Sequence, residues 1–230
     1  RLVYESFDAR REGIREAVCA LGNGYFTTRA AAPWARADGV RYPGTYLAGG
    51  YNRLHTNIAG RVVENEDLVN FPNWLSLELR FGDGEWFDER RVHLVSYRQE
   101  LDLRCGVLER QIVFEDGQGR RSRLEERRFV SMADMHCGAF ELRIVAENWS
   151  GPVTLRSGID GRVVNAGAKL YACFNNRHLE PLFGDSPCPD GVRLLVRTSQ
   201  SNLHVAMAAR TRVLRDGEPV DAQRLQLAEP

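Results

Sequence analysis

Residues 108–119 read LERQIVFEDGQG. The even positions of its first half are mostly apolar, with Leu108, Ile112 and Phe114 on that phase and Arg110 interrupting it. A period of two places alternate side chains on one face of a strand. Asp116-Gly117-Gln118-Gly119 then supplies residues able to take positive φ, so the stretch predicts a β-hairpin. The alternation returns at Phe140, Leu142, Ile144 and Ala146, with Glu141, Arg143 and Glu147 facing the other way, until Asn148-Trp149-Ser150-Gly151-Pro152 breaks it. Phe140, Leu142 and Ile144 are therefore expected to face inward. Val153 and Leu155 open a further strand. Others are expected over 192–199 and 203–213, separated by Gln200-Ser201-Asn202, the second ended by Asp216-Gly217. So many strands exceed what one flat sheet holds comfortably, which predicts an all-β, antiparallel fold of two packed sheets.

The first seventy residues are less regular. Ile14, Val18 and Leu21 have helical spacing, and Gly22-Asn23-Gly24 suits a turn entering a strand at Tyr25-Phe26-Thr27-Thr28. That turn looks superficially like a phosphate cradle, but it lacks a G-x-x-x-x-G-K-[ST] spacing and a following helix, and a tight turn is the simpler reading. Asn70-Phe71-Pro72-Asn73 reads as a loop whose aromatic-proline bond is open to the cis form. Residues 175–191, with Pro181, Gly184, Pro187, Pro189 and Gly191, are expected to form a long surface loop.

The 230-residue chain is long enough for a core without covalent staples, and one domain is expected. Thirty-one basic residues balance thirty-one acidic ones, which argues against nucleic acid and anionic membranes as partners. Only Lys169 among the basic residues is not Arg. Cys19, Cys105, Cys137, Cys173 and Cys188 are odd in number and widely spaced, so reduced, buried thiols in a cytoplasmic protein are expected rather than disulfides or zinc. No apolar run approaches the ~20 residues of a membrane span, and no signal-peptide core is present. His55, His93 and His204 show no metal-ligand spacing, and no metal is expected.

Residues 60–74, GRVVENEDLVNFPNW, gather Glu64, Glu66 and Asp67 with Asn65, Asn70 and Asn73 before Trp74. Two carboxylates beside an aromatic ring suit glycosidic cleavage, where one acid protonates the leaving oxygen and a second group drives the attack. A general acid, however, needs enclosure, and a loop on a lone β domain offers little. Carboxylates and amides also suit sugar hydroxyls, and an indole offers a flat apolar face. The bland alternative has the asparagines closing turns and Trp74 in the core.

Several segments together resemble the N-terminal domain of glycoside hydrolase family 65, the group of maltose, trehalose and kojibiose phosphorylases and related glucosidases. They are ALGNGYFTTRAA (20–31), YPGTYLAGGYNR (42–53), VENEDLVNFPNWL (63–75), LDLRCGVLER (101–110), RRFVSMAD (127–134), ENWSG (147–151), SGIDGRVVNAGAKLY (157–171) and RHLEPL (177–182). They occur in the family's order and span nearly the whole chain. Thr27 and Ala30 stand where the family tends to have glycines.

The resemblance implies a large β supersandwich, similar to galactose mutarotase, ahead of an (α/α)6 barrel that carries the catalytic glutamic acid and the phosphate-binding residues. Nothing after Thr211 has the 3.6-residue period of such a barrel. The chain, which starts at Arg1 without Met, is thus expected to be a non-catalytic fragment, possessing no catalytic residue of its own. It implies a parent enzyme that cleaves an α-linked glucosyl disaccharide with inversion, using inorganic phosphate as co-substrate or water, and no other cofactor. The implied partners are the missing barrel, the disaccharide and further copies in a homo-oligomer. By position, Asn23, Tyr25, Tyr46, Glu64, Asn65, Asp67, Asn70, Asn73, Trp74 and His178 are expected near the substrate or the barrel. Ala20 to Ala31 and Tyr42 to Tyr51 are expected to form an apolar face for that barrel. Two rivals are a self-sufficient mutarotase-like epimerase, which needs a His and a Glu converging in one pocket, and a free-standing carbohydrate-binding module, which needs an exposed aromatic strip.

Overall fold

The computed structural model describes residues 1–166 and 173–220. Apart from one short helix, every regular element among the described residues is a β-strand, and the hairpins and the five-stranded sheet are antiparallel, as the alternation predicts. The chain divides into two units, one of residues 1–48 and 77–156 and one of residues 49–76 and 157 onward.

The first unit is built on β1 (Leu2–Tyr4), β8 (His93–Asp102), β9 (Val107–Glu115), β10 (Arg121–Val130) and β11 (Gly138–Ala146), paired in that order. The opening hairpin is β9–β10. Asp116 Oδ1 accepts from the backbone N–H groups of Gln118 and Arg120, and Gly119 takes a φ of +74°, which a side chain would disfavour. Ile112 lies opposite Leu124, and Leu124 opposite Ile144. Their common face packs on Leu77, Leu79 and Phe81 of β7 (Leu77–Phe81), with Trp34, Phe87, Tyr97 and Phe114 completing the core. Phe140, Leu142 and Ile144 lean on that core while Glu141 and Arg143 face solvent, as expected. The partner of β7 is β12 (Val153–Ser157), and β2 (Leu21–Gly22), β3 (Phe26–Thr28) and β4 (Thr45–Leu47) form a small sheet.

The helix α1 (Glu12–Val18) exists, but turned inside out relative to its apolar spacing. Ile14 and Val18 are 66% and 53% exposed, whereas Glu12, Arg15 and Glu16 are buried. The cause is the surface beneath: even positions of β9 and β10 carry Arg110, Glu126 and Arg128 inward, all nearly inaccessible, and the charged face of α1 meets charge there. Arg15 pairs with Glu12 at 3.0 Å, and Glu16 accepts from the Tyr42 N–H at 2.7 Å.

The second unit contains the hairpin β5 (Tyr51–Ile58) and β6 (Arg61–Leu68), the sheet β13 (Leu179–Cys188), β14 (Gly191–Thr198) and β15 (His204–Arg210), and a two-residue hairpin, β16 (Leu214–Arg215) with β17 (Glu218–Pro219). Two expectations of loop are corrected here. Residues 61–68 are strand, not loop, because Ala59 and Gly60 take φ of 51° and 83°, the double positive φ of a two-residue hairpin turn. Residues 179–188 are also strand. The prolines are accommodated because β13 is an edge strand and its pairing is irregular between Pro181 and Phe183 and between Asp185 and Cys188. No described peptide bond is cis, so Phe71–Pro72 is trans. Of the five thiols, all free, only Cys19 is buried, which corrects the expectation of buried cysteines. No helix among the described residues is long and apolar enough to cross a membrane.

Candidate functional site

The acid-rich hairpin of the second unit has two distinct faces. Register pairs Arg53 with Glu66 and His55 with Glu64 on one, and Asn52 with Asp67 and Leu54 with Asn65 on the other. On the open face the Arg53 Nε donates to Glu66 Oε2 at 2.6 Å, and the His55 Nε2 lies 3.2 Å from Glu64 Oε2. Glu64 and Glu66 are thus half-exposed members of a surface ion-pair ladder.

The opposite face converges on His178, which is only 1% exposed. The Asn52 amide Nδ2 donates to His178 Nδ1 at 3.1 Å and to Ser199 Oγ at 3.2 Å. Its Oδ1 accepts from the N–H groups of Gln200 and Ser201 at 3.0 and 2.9 Å. With Nδ1 as acceptor, the imidazole proton sits on Nε2, 3.4 Å from Asp67 Oδ2. That separation is an electrostatic contact rather than a close hydrogen bond. Burial pushes the His178 pKa down, with Asp67 opposing it. Asp67 in turn accepts from the Asn65 amide.

Asn70 and Asn73 are both buried, Asn73 closing a local turn and Asn70 reaching a distant backbone segment. The Asn70 amide donates to Val164 O, the Asn73 Oδ1 accepts from the Leu75 N–H, and the Asn73 backbone exchanges hydrogen bonds with Asp160 at 2.9 and 3.0 Å. Trp74 is half-buried.

Three further expected residues belong to the first unit. Asn23 caps its own turn, its Oδ1 accepting from the N–H groups of Tyr25 and Phe26 while its Nδ2 donates to the carbonyls of Ser131 and Met135. Gly22-Asn23-Gly24 is therefore a tight turn that clamps the 131–135 segment. Tyr25 stacks on His136, ring centroids 4.4 Å apart and planes at 12°. Burial drives the Tyr46 phenol pKa far up. Of the larger side chains of 20–31 and 42–51, Leu21, Phe26 and Tyr42 are buried, Tyr46 and Leu47 half-buried, and Tyr25 and Tyr51 exposed.

Sequence reasoning also missed the buried ion network of the first unit. Glu126 lies between Arg110 and Arg128, with all three side chains at most 2% exposed. Arg110 also donates to Gln99 Oε1 and to the Ala30 carbonyl, and Arg128 to the Ala31 carbonyl. The signal was present as charged residues at inward positions of an otherwise apolar alternation. Among the described residues, no group of three or more His, Cys, Asp or Glu side chains is placed to hold a metal.

Comparison with known proteins follows the same lines. Residues 2–229 match the model of the glycosyl hydrolase family 65 N-terminal domain. An uncharacterized glycosyl hydrolase of Mycobacterium tuberculosis is 45% identical over 96% of this chain, which spans 17% of that protein. A kojibiose phosphorylase of Halothermothrix orenii is 30% identical over 91% of this chain and 24% of its own length. A solved structure described as a candidate kojibiose phosphorylase from the human microbiome superimposes with a TM-score of 0.79 at 20% identity, over 93% of this chain and 27% of that one. The chain thus spans about a quarter or less of the curated relatives it matches.

Proposed function

Because this chain belongs to the glycosyl hydrolase family 65 N-terminal domain family, we propose that it is the non-catalytic N-terminal part of a carbohydrate-active enzyme that cleaves an α-linked glucosyl disaccharide. The observation that carries this is the likeness over almost the whole chain to kojibiose phosphorylases several times its length. A further domain of the same polypeptide, a helical barrel on which this chain packs, then supplies the proton donor. Inorganic phosphate, or water in a hydrolase, attacks the anomeric carbon from the opposite face.

The chain's own carboxylates support a non-catalytic role. Glu64 and Glu66 lie open to solvent beside Arg53 and His55. A general acid must be enclosed and hold a proton until the leaving oxygen takes it. Asp67 faces the buried His178, whose Nδ1 is taken up by Asn52, so the pair fastens the hairpin to the segment before β13.

The test is to assay the 230-residue chain and the intact polypeptide side by side on kojibiose, trehalose and maltose, with and without phosphate. The expected result is turnover by the intact polypeptide alone, unchanged by Glu64→Gln. Activity of the chain by itself that survives repurification and disappears on Glu64→Gln overturns the proposal.

A further inference from the structure

The outer face of the β7–β12 pair carries an arginine cluster with too few acids. Along β7, Leu77, Leu79 and Phe81 point into the core, so Glu78 and Arg80 share the opposite face. Trp86 pairs with Arg80 through an antiparallel bridge. The Arg80 and Arg156 guanidinium carbons lie 5.2 and 4.6 Å from the Trp86 ring centroid. Glu78 is engaged on both oxygens: Arg36 Nε donates to Oε1 at 2.8 Å, and an Arg156 terminal nitrogen to Oε2 at 3.0 Å. Among the described residues, no carboxylate pairs with Arg80, and none but Glu78 with Arg36 or Arg156. Three guanidiniums thus have one carboxylate among them, and two of the three lie against the Trp86 ring.

Such a cluster is not self-contained. Stacking on an aromatic face holds a guanidinium plane in place while its N–H edge stays free, and that planar fork matches the oxygens of a phosphate group. Arg36 and Arg156 keep 72% and 49% of their side-chain surface open, so the nitrogens not used by Glu78 are accessible. Glu78, only 12% exposed, acts as the strut that spaces the two arginines. A phosphate carries a charge of about −1.5 to −2 near neutral pH, which balances the excess. Neutral sugars would leave it uncompensated.

We propose that Arg36, Arg80 and Arg156, arranged by Trp86 and Glu78, form a binding site for a phosphate group, either inorganic phosphate or the phosphate of a small monoester. The site is independent of which glycosidic bond the polypeptide cleaves and of the acceptor it uses.

The experiment labels the intact polypeptide with 5-fluorotryptophan and assigns the Trp86 19F resonance by its loss in Trp86→Phe. Inorganic phosphate and glucose 1-phosphate are titrated in separate arms, with methyl α-glucoside as the uncharged control. The expected result is a saturable shift of the Trp86 signal by phosphate, absent with the methyl glucoside and weakened by added salt. Tighter binding of glucose 1-phosphate than of phosphate identifies a monoester as the ligand, and the reverse order identifies the free ion. Arg80→Gln and Arg156→Gln should each weaken binding about tenfold, as the loss of a charge-assisted hydrogen bond predicts. Glu78→Gln should tighten it, because it removes the lone negative charge, and a merely structural role for Glu78 does not produce that gain. No shift at Trp86, or affinities unaltered in the arginine variants with unchanged thermal unfolding, overturns the proposal. So does weaker binding in a Glu78→Gln protein that unfolds at the wild-type temperature.

Discussion

The imidazole Nδ1 of His178 lies 3.1 Å from the amide Nδ2 of Asn52, 126 residues earlier in the chain. Through that contact and the Asn52 bonds to Ser199, Gln200 and Ser201, the β5–β6 hairpin is tied to one end of the β13–β14 pair, where Leu179 at the start of β13 lies opposite Thr198 at the end of β14. Asn52 and His178 are each 1% exposed, so both side chains have lost water and depend on their protein partners.

Asn52→Ala should therefore destabilise, by about 1–3 kcal/mol, since it leaves the buried His178 Nδ1 without its donor and removes the acceptor of the Gln200 and Ser201 N–H groups. His178→Ala should cost a similar amount. A double-mutant cycle read by urea unfolding should give a coupling clearly above zero, and additive losses would show that the two side chains do not act together.

His178 also makes stability depend on pH. Burial holds its folded pKa below the ordinary 6.5. The unfolded chain then binds the proton more readily, so the contribution is complete above about pH 6.5 and falls as pH drops from there through the folded pKa. Unfolding free energies measured from about pH 7.5 to 5 should decline less steeply in His178→Gln than in wild type. The buried Glu12 and Glu16 carboxyls, whose pKa values burial pushes up, act in the opposite direction and are common to both proteins.

Glu126 is the shared partner of two buried arginines. Glu126→Ala leaves both cations uncompensated and should cost about 3–5 kcal/mol, the range for breaking one partner of a buried pair. By contrast Glu64→Gln, in a half-exposed pair, should change stability by less than about 1 kcal/mol. Thermal unfolding of the two variants should separate them widely.

The inverted helix yields an opposite pair of expectations. Ile14→Gln should be nearly neutral, because that side chain already faces water. Glu16→Leu should destabilise by about 1–3 kcal/mol, since it removes the acceptor of the Tyr42 N–H and the partner of Arg29. If Ile14→Gln proves the more damaging, α1 does not sit as described.

The β9–β10 hairpin, the inward face of β11 and the turn at 116–119 could be read from residue spacing, because a strand's period of two and a glycine's access to positive φ are local properties. The family was legible for a related reason: eight short motifs in fixed order are a property of the chain itself. Three things were decided only in the folded molecule. The helix face followed the charge of the surface beneath it instead of its own apolar spacing. The acidic run at 61–68 became a strand because Ala59 and Gly60 close a hairpin, although Ala-Gly is not a strong hairpin signal. His178 joined Asn52 and Asp67 because strand pairing brought distant positions together. Burial and partnership are set by whatever the fold places opposite a side chain, and that neighbour lies far away in sequence. Local patterns therefore determined the class of this protein, and long-range pairing determined which of its polar residues are buried.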